Sequence, residues 1–228
     1  MACDPYTKLM CHFNGADAAT SSTDSSQSAK SLTFVGNAQL DTAQKVFGLS
    51  SLLLDGSGDY VTVADSSDWD FGTGDFTIDG RFRTTVSTQD LRIFEIGASD
   101  SDGVQLKYSD GAGKVAARIN GTEYAYTKSI STNTWYHFAC VRSSGTFYIY
   151  IDGVSIGSGT SSQTVTCGTA GVAIGADTDG SLGFNGWIDE FRVSKGIARW
   201  TSTFTLPVSE YCITPQFLAF FENYRPVG

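Results

Sequence analysis

The sequence predicts an all-β protein in which two antiparallel sheets pack face to face as a sandwich. Apolar and polar side chains alternate over residues 75–84 and again over 146–151, and this two-residue period is typical of strands with one buried face. Asn120-Gly121 and Asp152-Gly153 are typical of tight turns between antiparallel strands. The chain has 25 glycines and 13% aromatic residues but few helix-length periodic segments, a composition that favours strands separated by turns.

The predicted elements are short and follow one another closely. A polar loop at residues 15–31 separates the first predicted strand from the second. In order, the predicted strands cover residues 9–13, 32–35, 51–54, 60–64, 75–84, 91–98, 104–109, 114–120, 122–127, two strands within 135–156, 172–175 and 186–194.

The last part of the chain has a different character. Residues 195–208 are predicted to form a closing arm that packs Trp200 and Phe204 against the sandwich. Residues 1–208 are therefore expected to form one β-sandwich domain, followed by a tail at 209–228 with a short apolar cluster. The tail is too short to bury a core of its own, so we expect it to dock on its own sandwich or on a neighbouring subunit.

The formal net charge of −9 restricts the possible partners. Nucleic acid and anionic membrane surfaces are recognised through Lys and Arg, so neither partner is expected. No run approaches the roughly 18 apolar residues of a membrane span, and membrane insertion is not expected. Residues 1–14 lack the basic and apolar regions of a secretory signal, so the chain is expected to fold in a cytoplasm unless it was expressed without its signal.

Five cysteines cannot all pair within one chain. Cys140 lies inside a predicted strand and is expected to be a buried free thiol. Cys3, Cys11 and Cys212 lie near the two ends, where a disulfide within or between subunits could form in an oxidising medium. The alternative is that all five remain reduced, because cytoplasmic folding favours thiols.

Four segments occur in an order and spacing that indicate a known family: residues 47–78, 134–153 (TWYHFACVRSSGTFYIYIDG), 172–177 (VAIGAD) and 183–200 (GFNGWIDEFRVSKGIARW). Over about residues 9–207 the chain resembles laminin-G-like domains of the concanavalin A-like lectin/glucanase group. The resemblance implies a two-sheet antiparallel jelly roll that binds sugars or proteins and does not cleave them.

The opening segment carries a second resemblance. Residues 4–26, DPYTKLMCHFNGADAATSSTDSS, look like laminin-G-like modules of tailed-bacteriophage virion proteins. This implies a non-enzymatic head decoration or tail or neck accessory protein, located in the extracellular virion and made in the host cytoplasm. Its partners would be other virion proteins or further copies of itself as a homo-oligomer.

Two other functions remain open at this point: an adhesin that binds host-surface glycan and, more remotely, a glycoside hydrolase. Two tyrosine pairs, Tyr124 with Tyr126 and Tyr148 with Tyr150, share strand faces and could stack on sugar or pack across strands. Where the family commonly has a Trp, this chain has Arg81, which argues against an aromatic sugar platform on that strand.

No catalytic residues are predicted. A retaining glycosidase needs two carboxylates about 5 Å apart, yet no Glu of this chain has an acidic partner two positions away in a predicted strand. Asp189 and Glu190 are neighbours in a predicted strand, so their side chains are expected to point to opposite faces.

Calcium is the one metal for which the sequence offers candidates, and no cofactor is expected to be required. The resemblance implies that the segments containing Asp59 and Asp189 meet, and calcium prefers carboxylate and carbonyl oxygens from such loops. Asp59 and Asp189 are therefore the candidate calcium ligands. The alternative is that these aspartates cap turns.

Overall fold

The structure, a computed structural model, describes residues 3–86, 90–109 and 113–212. It consists of fifteen described strands and one short 3-10 helix, Ser67–Trp69, which confirms the predicted all-β sandwich. The strands are β1 Thr7–Cys11, β2 Leu32–Val35, β3 Gln39–Asp41, β4 Ser51–Asp55, β5 Tyr60–Val63, β6 Phe76–Thr84, β7 Leu91–Ile96, β8 Val104–Ser109, β9 Lys114–Ile119, β10 Thr122–Thr127, β11 Tyr136–Ser143, β12 Thr146–Ile151, β13 Val154–Thr160, β14 Val172–Ile174 and β15 Asn185–Lys195.

The strands form two antiparallel sheets. Sheet A has the order β13-β12-β11-β6-β15-β4-β3, and β1 also pairs with β15. Sheet B has the order β10-β9-β8-β7-β14-β5-β2. Strands that are distant in sequence are therefore neighbours in both sheets, as in a jelly roll. No helix in the described parts of the chain is long enough to cross a membrane.

The core lies between the sheets and follows the predicted alternation. Phe76, Ile78 and Phe82 of β6 point into it and are fully buried, and Phe82 packs edge-on against Phe184 with ring centroids 6.2 Å apart. Cys140 is a free thiol in the same core, as predicted. Each strand of the sandwich thus contributes one apolar face to a single interior.

The outer face of sheet A is covered by residues 196–212, the C-terminal arm. Trp200 stacks on Phe204 with ring centroids 4.1 Å apart, and both pack against a second apolar cluster that includes Tyr150 of β12. The predicted packing of the arm is therefore confirmed. Docking of the arm is favourable because it removes aromatic surface from water on both the arm and sheet A.

A disulfide between Cys3 and Cys212 joins the end of the arm to the chain segment before β1, with the two Cα atoms 4.7 Å apart. This confirms that terminal cysteines can cross-link. Cys11, the third candidate, is a buried free thiol in the core because its side chain points inward from β1. The tail prediction falls largely on residues 213–228, which lie outside the described residues, and it stays a prediction.

Candidate functional site

The outer face of sheet B carries one row of mostly polar side chains across all seven strands. Strand register places these residues side by side: Thr33, Thr62, Ala173, Glu95, Gln105, Arg118 and Glu123. Their sequence neighbours point into the core, so this row belongs to the solvent side of the sheet. The described part of the C-terminal arm does not cover this row, although its middle residues Ala173, Glu95 and Gln105 are buried.

The middle of this row is a hydrogen-bonded network. Gln105 donates through Nε2 to Glu95 Oε1 at 2.7 Å and accepts from Arg92 Nη1 at 2.8 Å. The other oxygen of Glu95 accepts from the backbone N–H of Thr178. Burial raises the pKa of the Glu95 carboxyl above its usual value. The network fixes loop 175–181 against the sheet and leaves few free polar atoms there.

Beside the network, at the β14-β5-β2 side of the sheet, lies a cleft of about 430 Å³. Its polar lining consists of hydroxyl groups and one exposed carboxylate, contributed by Thr33, Thr62, Thr169, Thr178 and Asp65. Gly171 forms part of the floor, and a Cβ added there would meet the carbonyl oxygen of Val63 at 2.0 Å. Only glycine allows the two backbones to approach this closely.

Two further clefts continue from the first. The second, of about 270 Å³, shares residues 63–65 with the first and extends to Lys30 and Ser31. The third, of about 360 Å³, shares Lys30 and Ser31 and extends to Ser22 and Thr23. Because neighbouring clefts share lining residues, we treat the three as one elongated depression and call it the hydroxyl groove.

The charge of the hydroxyl groove is set by few groups. Lys30 donates through Nζ to Asp68 Oδ2 at 2.6 Å and lies 5.1 Å from the centroid of the Trp69 ring, so its charge is engaged. Asp65 is exposed. None of the residues that line the three clefts is aromatic.

Neither tyrosine pair lies in this groove. Tyr124 and Tyr126 of β10 pack inward over Gly159 and Gly157 of β13, where an added Cβ would approach the rings to 2.7 and 2.2 Å. Tyr150 lies beneath the arm, with its ring centroid 5.4 Å from that of Phe204. Both pairs therefore serve packing rather than an open stacking platform.

The strand in which Arg81 replaces the family's Trp lies under the C-terminal arm. Arg81 donates through Nη2 to the carbonyl of Pro207 at 2.8 Å. Next to it, Arg192 binds both oxygens of Asp79 at 2.9 and 3.0 Å. Burial alone would raise the pKa of Asp79, but the charge and hydrogen bonds of Arg192 hold it well below the usual value. The arm therefore occupies the place of an aromatic platform on this strand, in agreement with the sequence prediction. A cleft of about 490 Å³, lined in part by Trp200 and Tyr211, lies between the arm and this sheet.

The two candidate calcium ligands lie in different elements: Asp59 in the loop between β4 and β5, and Asp189 within β15. Asp59 accepts N–H groups of Asn37 and Asp55, one on each oxygen. Asp189 accepts N–H groups of Val46 and Phe47 on Oδ2, while its buried Oδ1 has no partner. Asp59 is thus occupied by turn capping, whereas Asp189 retains a free acceptor oxygen. Calcium ligation by these two residues stays a prediction.

The expectation that Asp189 and Glu190 point to opposite faces is wrong. Strand β15 contains a bulge between Asp189 and Arg192, and Glu190 has a positive φ of 52°. Ile188 and Phe191 on either side both enter the core, so the two acidic side chains stay on the outer side of sheet A. The extra residue of the bulge breaks the two-residue alternation.

Glu190 has partners that the sequence did not indicate. Its Oε1 lies 2.6 Å from His12 Nδ1, and its Oε2 accepts the N–H of Tyr211 at 2.8 Å. The hydroxyl groove was also missed, because Ser and Thr in loops carry no spacing signal that separates a ligand surface from a solvated turn.

A laminin G-like profile of the concanavalin A-like lectin/glucanases superfamily matches residues 55–199. The chain belongs to this superfamily. No curated protein sequence matches the chain at a significant level.

Solved structures with the same fold include domain 4 of a GH43 extracellular arabinanase from Geobacillus stearothermophilus, in complex with arabinotriose. It is 19% identical with a TM-score of 0.64, over 84% of this chain and 93% of that one. A botulinum neurotoxin type C structure, whose cell entry depends on two ganglioside molecules, is 14% identical with a TM-score of 0.61 over 84% and 48%. The binding domain of Paraclostridial Mosquitocidal Protein 1 is 14% identical with a TM-score of 0.60 over 84% and 49%.

At these identities the likeness shows the shared fold. The chain spans about half the length of the two toxin chains that it matches. The arabinanase domain, in contrast, is matched over nearly its whole length.

Proposed function

We propose that this protein is a non-catalytic carbohydrate-recognition module that binds a saccharide in the hydroxyl groove. The observation that carries the proposal is the series of three adjoining clefts lined by Thr and Ser hydroxyls and the Asp65 carboxylate. The arabinanase domain bound to arabinotriose shares this fold, which supports a saccharide as the ligand class.

The chemistry of the groove suits sugar hydroxyl groups. A Thr or Ser hydroxyl both donates and accepts, and a carboxylate accepts from two neighbouring hydroxyls. Clefts in series suit a linear chain of sugar units better than a single compact residue. Because the exposed charge is negative and Lys30 is engaged by Asp68, the groove favours neutral over anionic saccharides. Without an aromatic ring to stack on, we expect a dissociation constant on the order of 1 mM for a short oligosaccharide.

The test is a titration of the full-length protein with neutral linear oligosaccharides selected on a glycan array, followed by NMR or calorimetry. Asp65→Ala removes charge-assisted hydrogen bonds and should weaken binding about tenfold or more. Glu123→Ala, at the far edge of the same sheet, is the matched control and should leave affinity unchanged. The proposal fails if no neutral saccharide binds saturably, or if Asp65→Ala binds as tightly as the wild type.

A second proposal concerns where the module works. The resemblance of residues 4–26 to phage virion modules favours display on the particle of a tailed phage, as a head decoration or a tail or neck accessory. Mass spectrometry of purified particles tests this by copy number. Truncation after Cys212 preserves the disulfide and the arm, so loss of particle association in that variant would assign assembly to residues 213–228. A protein absent from particles contradicts the virion role and leaves the saccharide proposal intact.

A further inference from the structure

Three side chains from distant parts of the chain converge beside the bulge of β15. His12 directly follows β1, Glu190 belongs to the bulge, and Glu210 lies on the C-terminal arm. One potential ligand atom from each, an imidazole nitrogen and two carboxylate oxygens, lies within 4.8 Å of the others. They form the only such group of three in the described parts of the chain.

The negative charge of this group is only partly compensated. Glu190 is 1% exposed, and its one ion-pair partner among the described residues is His12. Glu210 contacts the amide of Asn14 rather than a cation. Adjacent Asp189 is a third acidic residue, fully buried, whose Oδ1 has no partner; burial raises the pKa of its carboxyl to about 7, so it adds only part of a negative charge. Arg81 is opposite Asp189 in register but donates to the carbonyl of Pro207.

We propose that His12, Glu190 and Glu210 bind a divalent transition-metal ion of the zinc class. One imidazole nitrogen with two carboxylate oxygens is a donor set that zinc accepts, leaving a fourth position for water. Calcium prefers oxygen ligands alone and more of them, so the histidine discriminates between the two metals. Ligand atoms around tetrahedral zinc are roughly 3.4 Å apart, from bonds of about 2.1 Å, and rotation of the partly exposed Glu210 side chain can reach this geometry.

Zinc would replace a direct contact between His12 and Glu190. In its absence, the 2.6 Å contact between His12 Nδ1 and Glu190 Oε1 holds a proton between the two groups. Zinc requires an unprotonated Nδ1, so its binding breaks this hydrogen bond, and the proton moves to Nε2 of a neutral ring or, from an imidazolium, to solvent. The bound ion would then join β1, β15 and the arm close to Cys212. Because it binds the folded state alone, it should raise the thermal midpoint as its concentration rises.

The experiment uses the full chain with its disulfide intact, freed of metal by a chelator and then dialysed. Calorimetry with zinc chloride should show one saturable site. Calcium chloride in the same protocol should show no saturation at this site. His12→Ala and Glu210→Gln should each weaken zinc binding about tenfold or more, while Glu123→Gln on sheet B leaves it unchanged.

His12 and Glu210 are partly exposed, so these variants should fold. Circular dichroism and the apo thermal midpoint check that they do. Saturable zinc binding that disappears in both variants supports the site. Zinc binding that survives both substitutions, calcium binding of equal strength, or no zinc binding by the wild type would each overturn it. None of these outcomes depends on whether the hydroxyl groove binds saccharide.

Discussion

The outer faces of the two sheets are built from the same kind of alternating strand but differ in how far their charged side chains are covered. On sheet A the C-terminal arm buries the charges of Asp79 and Arg192, with exposed side-chain fractions of 0% and 8%. On sheet B the pair of Arg118 and Glu123 keeps 27% and 41% of its side-chain surface exposed, although Glu95 and Gln105 in the middle of the same face are buried. The arm separates the charges on sheet A from water, whereas the Arg118 end of the outer face of sheet B, here called the open face, stays in contact with water.

The difference in coverage also determines what happens when one partner of an ion pair is removed. Under the arm, removing one partner leaves the other charge without water, so each partner is indispensable even where the pair adds little net stability. On the open face, water replaces a lost partner. Four experiments test this contrast.

The largest effect is expected for Asp79→Asn. The variant keeps the shape of the side chain but leaves the buried Arg192 guanidinium without its counterion. We expect the free energy of unfolding to fall by about 3–5 kcal/mol, measured by urea denaturation at pH 7. A loss below about 1 kcal/mol would mean that water reaches Arg192 and that the arm does not seal this face.

Removal of the disulfide should have the next largest effect. The double variant Cys3→Ser, Cys212→Ser frees the end of the arm and enlarges the unfolded ensemble, so we expect a loss of roughly 2–4 kcal/mol. The measurement is chemical denaturation with and without reductant. Reductant should destabilise the wild type by a similar amount and leave the double variant unchanged; equal sensitivity of both proteins would contradict the assignment.

A third experiment concerns pH and His137, which is fully buried beneath the arm. Burial lowers the pKa of its imidazole below the usual value, so the unfolded state binds a proton first as the pH falls. Stability attributable to His137 is therefore complete above about pH 6.5 and decreases below it, by up to about 1.4 kcal/mol per pH unit.

The comparison of wild type with His137→Asn isolates this contribution, because His12 titrates in both proteins. From pH 7 to 5.5 the wild type should lose more free energy of unfolding than the variant. Parallel pH profiles would show that His137 is free to protonate in the folded state.

The smallest effect is expected on the open face. Arg118→Gln breaks the ion pairs with Glu123 and Asp100, which are solvent-exposed, so the free energy of unfolding should change by about 0–1 kcal/mol. Denaturation under the conditions used for Asp79→Asn measures the contrast directly. A loss comparable to that of Asp79→Asn would show that the two faces do not differ as proposed.

Much of this architecture follows from local patterns in the sequence. The alternation around Ile78 identifies both the strand and its buried side, and the Asn120-Gly121 and Asp152-Gly153 turns lie where the sequence places them. Trp200 and Phe204 could be assigned to a packed arm because isolated aromatics after the last strand need a surface to cover. These features depend on neighbours within a few residues.

Features set by distant contacts were not predictable in the same way. The bulge is at Glu190 and not at a glycine, so the sequence gives no local sign of the positive φ. Contacts of Glu190 with His12 and Tyr211 hold the bulge in place. The hydroxyl groove joins residues near Thr33, Asp65 and Thr169, which strand order brings together but composition does not distinguish. The candidate site therefore required the topology, whereas the fold class did not.

The Cys3–Cys212 bond has a mechanical consequence. It encloses a sequence separation of 209 residues between Cα atoms 4.7 Å apart. Tension applied to the chain on either side of this bond is carried by one covalent linkage and bypasses the hydrogen bonds of both sheets. About 700 Å of extensible polypeptide, at roughly 3.4 Å per residue, is thereby withheld from stretching until the bond is reduced. Under tension the oxidised domain therefore keeps its length, and it becomes extensible only after the disulfide is reduced.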